Sequence, residues 1–290
     1  MNQATNILVV LAILPFMGAC SVIHVQQPAG ANRSTAIAVY LSSDLDSAAQ
    51  CKQALRQTTT DSAAELDSAE IEVLVWNIKK GKLRNWREDL DALANNKDLL
   101  LLQEASLSMQ PEDLLSPSAY WAFAPGYATR DTVTGLVNLS QVQPLSHCQL
   151  AAYEPWFGTP KATSVTWYAL SDSDTTLLVV NTHMINFSLG LKEFRAQLVA
   201  VSEVIEEHNG PVIFSGDFNT WRPARYRVLE DLMSDLYLVA IEFEEDHRVR
   251  FFGSAVDHVF IGGLRVQAAS THRLESSDHN PMSIRLSLQP

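Results

Sequence analysis

Apolar residues along the chain fall into short β-type runs that stop on a polar residue, separated by stretches with helical spacing. "IEVLVWNI" (residues 71–78) is β-rich and ends at Asn77, beside Lys79-Lys80-Gly81. "NWREDLDALANN" then spaces Trp86, Leu90, Leu93 and Ala94 as one face of a helix over about 85–96. "KDLLLLQEA" is a second buried strand, closing on Gln103-Glu104, so the order strand, helix, strand forms a βαβ unit. Residues 105–130, with Pro111, Pro117, Pro125 and several aromatics, read as a loop-rich excursion.

Strands follow at "GLVNLSQVQPL" (135–145), "KATSVTWYAL" (161–170) and "TTLLVVNTHM" (175–184), the last two joined as a hairpin through "SDSD". Phe194, Leu198, Val201 and Ile205 mark an amphipathic helix stopped by Asn209-Gly210-Pro211. A central strand "VIFS" (212–215) comes next and halts at Gly216-Asp217-Phe218-Asn219. A helix over 223–234 and strands "VDHVFIGG" (256–263) and "MSIRLSL" (282–288) complete the pattern.

Upstream of Ile71 the pattern changes. The apolar stretch Ile7 to Met17, followed by Gly18-Ala19-Cys20, has the length of a signal-peptide core and is too short for a bilayer span of roughly 20 residues. The small-small-Cys ending resembles a bacterial lipobox with Cys20 as the lipidated residue. It lacks two usual features: no Lys or Arg precedes Arg33, and Met17 stands where Leu is commonest. On this reading 1–20 is a signal segment and the protein is a periplasmic or outer-membrane lipoprotein held to a membrane through Cys20; the alternative is an uncleaved segment on a cytoplasmic protein. Residues 21–70, rich in Ala, Ser, Thr, Asp and Gln, read as a linker of low order, with an added strand at 35–41 and a helix at 46–57. The domain proper is expected over 71–290. Cys51 and Cys148 either form one disulfide in an oxidising compartment or stay free thiols, the commoner outcome for two cysteines at unrelated positions.

The 290 residues are 47% hydrophobic, ample for one large α/β core, and the expected state is a monomer. A net charge of −12 argues against adhesion to DNA or anionic membranes through a broad basic face. It leaves phosphorylated substrates open, because a bound divalent metal offsets local acidity.

Five strands, or the turns just past them, end in hard ligands or proton-transfer groups: Asn77, Glu104, His183, Asp217 with Asn219, and Asp278 with His279. Singly each has a bland explanation as a cap, a turn residue or a hydrogen-bonded histidine. Together they converge, because the C-terminal ends of strands in an open α/β sheet face one crevice. Carboxylate and amide oxygens suit Mg²⁺, Mn²⁺ or Ca²⁺, and neither CxxC nor HExxH is present to suggest zinc. Metal-assisted phosphoester hydrolysis also needs an acidic group for water and a histidine for the developing charge; Asp217 and Asp278-His279 are of those types.

The ordered set "VWNI", "LLQEA", "NTHM", "SGDFNTW", "VDHVF" and "SSDHNPM" resembles the endonuclease/exonuclease/phosphatase superfamily, which includes DNase I, the neutral sphingomyelinases and the inositol polyphosphate 5-phosphatases. The wording around "VVNTHMINFSLG" and "GPVIFSGDFN" is similar to its bacterial YafD-like branch, and the resemblance runs from Ile71 to Leu288. It implies a four-layer α/β sandwich, two packed mixed β-sheets flanked by helices, and a divalent-metal-dependent phosphoester hydrolase. By the same resemblance Glu104 is the principal metal ligand with Asn77 beside it, and His183 contacts the scissile phosphate. Asp217 activates water and Asn219 binds phosphate. Asp278 orients His279 or joins the metal site, and His279 serves as base or phosphate stabiliser. Asp257 has a supporting role, catalytic or structural, since His258 follows it where relatives carry an aromatic.

Substrate is less legible. The tyrosine motif of abasic-site endonucleases is absent, and "GLVNLS" lacks the Arg that follows it in many relatives. Nucleic acid, a nucleotide or a phospholipid headgroup each fits. Trp121, Phe123 and Tyr127, with Trp156-Phe157, are placed to stack bases or touch lipid, or simply pack loops onto the sandwich. A phosphodiesterase of endonuclease type leads. A phosphatase or sphingomyelinase/phospholipase-like enzyme is the alternative, and a catalytically silent binding protein on the same fold is the alternative of another class.

Overall fold

Continuous runs such as "IEVLVW" and "LLLL" leave no polar face, so their strands must be covered on both sides, and the chain meets that demand by stacking two sheets between helices. The computed structural model describes residues 39–41, 47–57, 64–109, 119–128 and 132–289. In order these are β1 (Val39–Leu41), α1 (Ala48–Gln57), β2 (Ile71–Asn77), α2 (Trp86–Ala94), β3 (Leu99–Ser106), β4 (Tyr120–Ala128), β5 (Val133–Ser140), β6 (Ser146–Tyr153), β7 (Pro160–Ala169) and β8 (Thr176–His183). Then come α3 (Lys192–Ile205), β9 (Val212–Asp217), α4 (Pro223–Asp235), β10 (Val239–Ala240), β11 (Arg250–Phe251), β12 (Ser254–Ala255), β13 (Asp257–Gly262), β14 (Leu264–Thr271) and β15 (Met282–Leu288).

A seven-stranded mixed sheet runs β1-β4-β5-β3-β2-β15-β14, and a six-stranded one runs β10-β13-β9-β8-β7-β6. Val73, Val75, Leu99 and Leu101 from the first meet Leu177, Val179, Ile213 and Val259 from the second in the central core. The alternate residues Leu74, Trp76, Leu100 and Leu102 face α2 through Leu90 and Ala94. On the far side Phe194, Leu198 and Val201 of α3 and Leu229 of α4 cover Val180 and Phe214. This is the four-layer sandwich that the sequence resemblance implies. β2 and β3 are parallel around α2, and β7 and β8 form the expected hairpin.

A buried seam of amides crosses the central core just behind the strand ends. Asn181 on β8 accepts from Gln103 on β3 at 2.7 Å and donates to Asn138 on β5 at 2.8 Å. Buried amides that find partners across two layers fix those layers in one register.

Two expectations are corrected. The domain begins before Ile71: α1 lays Cys51 and Leu55 against the six-stranded sheet, and Leu66 is buried in the central core, bridged to Leu170. Composition hid this because α1 is polar overall and holds on through a covalent bond, the disulfide between Cys51 and Cys148 on β6. The two cysteines are therefore not free thiols. Within the supposed loop of 105–130, β4 pairs antiparallel with β5 and buries Trp121 and Phe123. Pro125 masked the strand; it sits beside a register shift and beyond the reach of β1, where a missing N–H costs no ladder bond. The strands β6 and β14 also escaped notice, and the lipobox with Cys20 lies outside the described residues, as does the 110–118 stretch with Pro111 and Pro117.

The disulfide closes a loop with a sequence separation of 97. Replacing both partners (Cys51→Ser with Cys148→Ser) is predicted to lower unfolding free energy by about 4 kcal/mol through the freed unfolded chain. Urea unfolding of the double variant against the oxidised parent checks this, and coincident transitions would count against it.

Candidate active site

The polar ends of β2, β3, β8 and β9 come together at one end of the sandwich. Asn77 closes β2 and lies in register with Gln103, the residue before Glu104. Glu104 occupies a bulge of β3 between Leu102 and Ala105 with φ of 52°, which turns its side chain out of the strand's alternation and toward the crevice. From the other sheet, β8 is parallel to β9 with His183 opposite Asp217, and β13 is antiparallel to β9 with Asp257 opposite Asp217. Asp217 is thus flanked on both sides within its own sheet. Its Oδ2 also accepts from Asn77 Nδ2 at 3.1 Å, joining the two sheets at the mouth.

Gly216 makes this convergence possible. Its φ is 138°, and a Cβ there would lie 2.0 Å from the carbonyl oxygen of Thr182 on β8. Beyond it, Asn219 also takes a left-handed conformation (φ 50°), with its backbone N–H donating to Asp217 Oδ1 at 3.0 Å. The turn that looked like ordinary Asp-Phe-Asn turn chemistry holds both polar residues against the strand ends.

The second carboxylate of the site is Asp257. Its Oδ2 and Oδ1 stand 2.8 and 3.0 Å from His279 Nδ1, while His279 Nε2 points toward Asp217 Oδ2 at 3.8 Å. Asp257, not Asp278, therefore orients the imidazole. Asp278 is exposed and pairs with Lys79 Nζ at 2.9 Å, lining the cleft without touching the His279 ring. Adjacent residues at a bend point apart, so neighbourhood in sequence misled the assignment. Burial opposes charge on His279, but Asp257 and then Asp217 overcome it and raise its pKa to about 10. At neutral pH this ring carries its proton and is poised to donate, not to act as a base.

His183 is the opposite case. Burial and the Lys161 ammonium push its pKa down to about 3, so its closeness to Asp217 (3.4 Å) is not an ion pair. Its Nε2 accepts from Lys161 Nζ at 2.7 Å; burial lowers the pKa of that lysine, opposed by the Asp217 and Glu104 carboxylates. Lys161 and Lys80 were not foreseen. Lys80 binds the Glu104 carboxylate; burial opposes ionisation of Glu104, but Lys80 and then Lys161 hold its pKa below the usual range. A lysine heading the otherwise buried strand β7 was the available signal for Lys161. Asn219 reaches the cleft and donates one N–H of its amide to the carbonyl of Met184 at 2.9 Å, leaving its second N–H as the donor for a phosphate oxygen.

These groups line a cleft of about 420 Å³ that also exposes Tyr127, Phe187 and Phe251. Its donor chemistry fits a hard divalent cation: Glu104 and Asp217 offer carboxylate oxygens, and the Glu104 carboxylate already attracts the Lys80 cation, while Asn77 lies buried behind them with Nδ2 donating to Asp217 and Oδ1 accepting from the Lys79 N–H at 3.1 Å. Among the described residues Asp217, Asp257 and His279 place ligand atoms within 4.8 Å of one another, but His279 Nδ1 is already held by Asp257.

The model of the Endonuclease/Exonuclease/phosphatase family matches residues 74–279, from β2 through His279. The chain belongs to that family. An UPF0294 protein of Vibrio campbellii is 37% identical over 222 residues, covering 76% of this chain and 78% of its own, in keeping with the YafD-like branch. Among solved structures, the human Nocturnin catalytic domain with a bound sulfate anion superposes with a TM-score of 0.62 at 19% identity, covering 80% of this chain and 100% of its own. A mannosyl-6-phosphatase of Bacteroides thetaiotaomicron gives 0.55 at 17%, covering 75% and 100%. At such identities both show the shared fold. Members of the family are phosphoester hydrolases.

Two predictions follow from the geometry. Gly216→Ala is predicted to cost at least about 3 kcal/mol, since a backbone carbonyl cannot move aside as a side chain would; an unchanged thermal midpoint would refute the close approach. His279, with a folded pKa raised from 6.5 to about 10, contributes stability fully present below 6.5 and lost as pH rises through 10. In EDTA, the stability advantage of the parent over Asp257→Asn should shrink across that window, and urea unfolding at either end measures it.

Proposed function

We propose that the chain is a divalent-metal-dependent phosphoester hydrolase of phosphodiesterase type, with Mg²⁺, Mn²⁺ or Ca²⁺ held by Glu104. The observation that carries this reading is the Asp257–His279 pair aimed at Asp217 across a cleft that also holds Glu104 and Lys161. A bound cation would draw charge from the phosphoryl oxygens and make phosphorus more open to attack. Asp217 positions the water and takes its proton as the water oxygen bonds to phosphorus. Protonated His279, steadied by Asp257, and the Lys161 ammonium meet the charge that builds on the phosphoryl oxygens. The ester P–O bond breaks, and the leaving alcohol oxygen takes up a proton. Lys161 also favours an anionic substrate at a site where Glu104, Asp217 and Asp257 would otherwise repel one.

The disulfide supports a second part of the reading, that the protein works outside the reducing cytoplasm, as export through a Cys20 lipobox would require. Loss of palmitate labelling in Cys20→Ser tests the anchor directly.

The catalytic reading is tested with the full chain and each metal against bis-p-nitrophenyl phosphate, plasmid DNA, RNA and sphingomyelin. Glu104→Gln, Asp217→Asn and His279→Gln are each predicted to lose roughly a hundredfold or more in rate, and EDTA to abolish turnover. Absence of turnover on every substrate, with these variants indistinguishable from the parent, would leave a silent binding protein on this fold.

A further inference from the structure

Exposed apolar side chains cluster beside the cleft, carried by three separate protrusions of which two place a ring, Phe187 and Phe251, in its lining. The turn between β6 and β7 presents Trp156 and Phe157, 60% and 65% exposed. The segment after β8 carries Phe187, which packs edge-on against Phe157 at 5.6 Å, and Leu189, 72% exposed. The β11–β12 ribbon carries Phe251 in the cleft wall and Phe252 at its tip, 89% exposed. The gap between the second and third is closed by Trp221, whose Nε1 donates to Asn186 Oδ1 at 2.8 Å and whose ring lies 6.3 Å from Phe252. Arg222 stacks 4.3 Å over that indole and donates to the carbonyl of Leu189 at 2.9 Å, and Arg250, exposed on the ribbon, pairs with Asp246 at 2.5 Å.

Isolated surface apolar residues need no explanation, but a cluster beside a functional mouth marks what the mouth must approach. We infer that this rim seats the protein on a phospholipid bilayer, so that the phosphoester entering the cleft is that of a lipid headgroup. The inference rests on the hydrolase reading and deepens it. Three physical points select the bilayer. Trp, Phe and Leu together with arginines on one face are the composition of a surface that lies at the headgroup level, apolar atoms inward and guanidinium groups against phosphate. A polyanionic nucleic acid would approach a chain of net charge −12 and find few cations on this rim to track its backbone. A second copy, or any protein lid on these protrusions, would close the cleft against its own substrate, whereas a bilayer presents phosphoester groups at its surface.

The full-length chain with Cys20→Ser, which removes the candidate anchor, is mixed in EDTA with sucrose-loaded vesicles of phosphatidylcholine and phosphatidylethanolamine and pelleted. Trp156→Ser, Phe157→Ser and Phe252→Ser together, in that background and with an unchanged urea midpoint, should lower the partition by about tenfold or more. With metal restored, turnover of vesicle lipid should fall at least about tenfold relative to turnover of soluble bis-p-nitrophenyl phosphate. Equal pelleting of the triple variant overturns the docking surface, and so does a loss confined to oligonucleotide binding or to self-association. An unchanged ratio of lipid to soluble turnover overturns the substrate assignment. Rim-dependent pelleting without turnover of either substrate would instead sink the hydrolase reading while the surface stands, because pelleting in EDTA requires no catalysis.

Discussion

The amide seam between the sheets is the interaction on which the site depends. Gln103 and Asn181 meet deep in the core, one residue before Glu104 and two before His183. Sliding one sheet past the other would leave both amides, and Asn138 with them, buried without partners, a cost of about 1–3 kcal/mol for each group. The apolar core between the sheets tolerates such a slide far better, since leucine and valine pack without direction. Polar pairing therefore supplies what hydrophobic burial cannot: a fixed offset between β3 and β8. The chemistry needs that offset, because Glu104 and Lys80 come from one sheet while His183, Asp217 and Asp257 come from the other. The Asn77–Asp217 bond at the mouth is the outer end of the same seam.

This explains why so much of the site was legible in sequence. Motif residues such as the Gln of "QEA" and the Asn of "NTH" sit at strand ends because the strands are buried on both faces, and a polar residue there announces itself against an apolar run. The helices were legible for the related reason that α3 repeats its apolar residues at one spacing over 14 residues. What stayed hidden was set by contacts distant in sequence. α1 was legible as a helix at 46–57, but not as part of the domain, because its attachment is a covalent bond to β6. β14 is largely exposed at a sheet edge, and the alternation of Leu264-Arg265-Val266-Gln267 stops at a register shift before Ala268-Ala269. Asp257 and Asp278 could not be ranked from sequence, since only the antiparallel pairing of β13 with β9 brings Asp257 under the imidazole.

The cleft mixes lysines with its carboxylates. A protein of net charge −12 concentrates Lys79, Lys80 and Lys161 around one crevice, and each of them is matched there by a carboxylate or an imidazole. Two histidines in one cleft are shifted in opposite directions by their surroundings, His183 downward by burial and then a lysine, His279 upward by two aspartates against its burial. Such a divergence separates a neutral ring from a proton-carrying one without any difference in residue type.

The segment that carries Phe187 and the turn that carries Asn219 are tied together by a buried ion outside the cleft. Arg225 is fully buried on α4 and bonds no carboxylate; its guanidinium donates to the carbonyls of Ile185, Asn186 and Ser188 after β8 and of Asn219 after β9. Burial lowers its pKa to about 10, still well above neutral, so it stays charged. Glu154 takes the complementary half, accepting the N–H groups of Asn186 and Phe187 at 2.6 and 2.8 Å. The short segment that carries Phe187 has its carbonyls held by one buried charge and its N–H groups by another. It also packs against Phe157 and, through Asn186, against Trp221. A flexible rim would adapt to any apolar surface and set no depth. A rim tied to the same arginine as Asn219 fixes the distance between whatever the aromatics rest on and the point where the phosphoester must arrive, and this is the geometric requirement of an enzyme that takes its substrate from a surface.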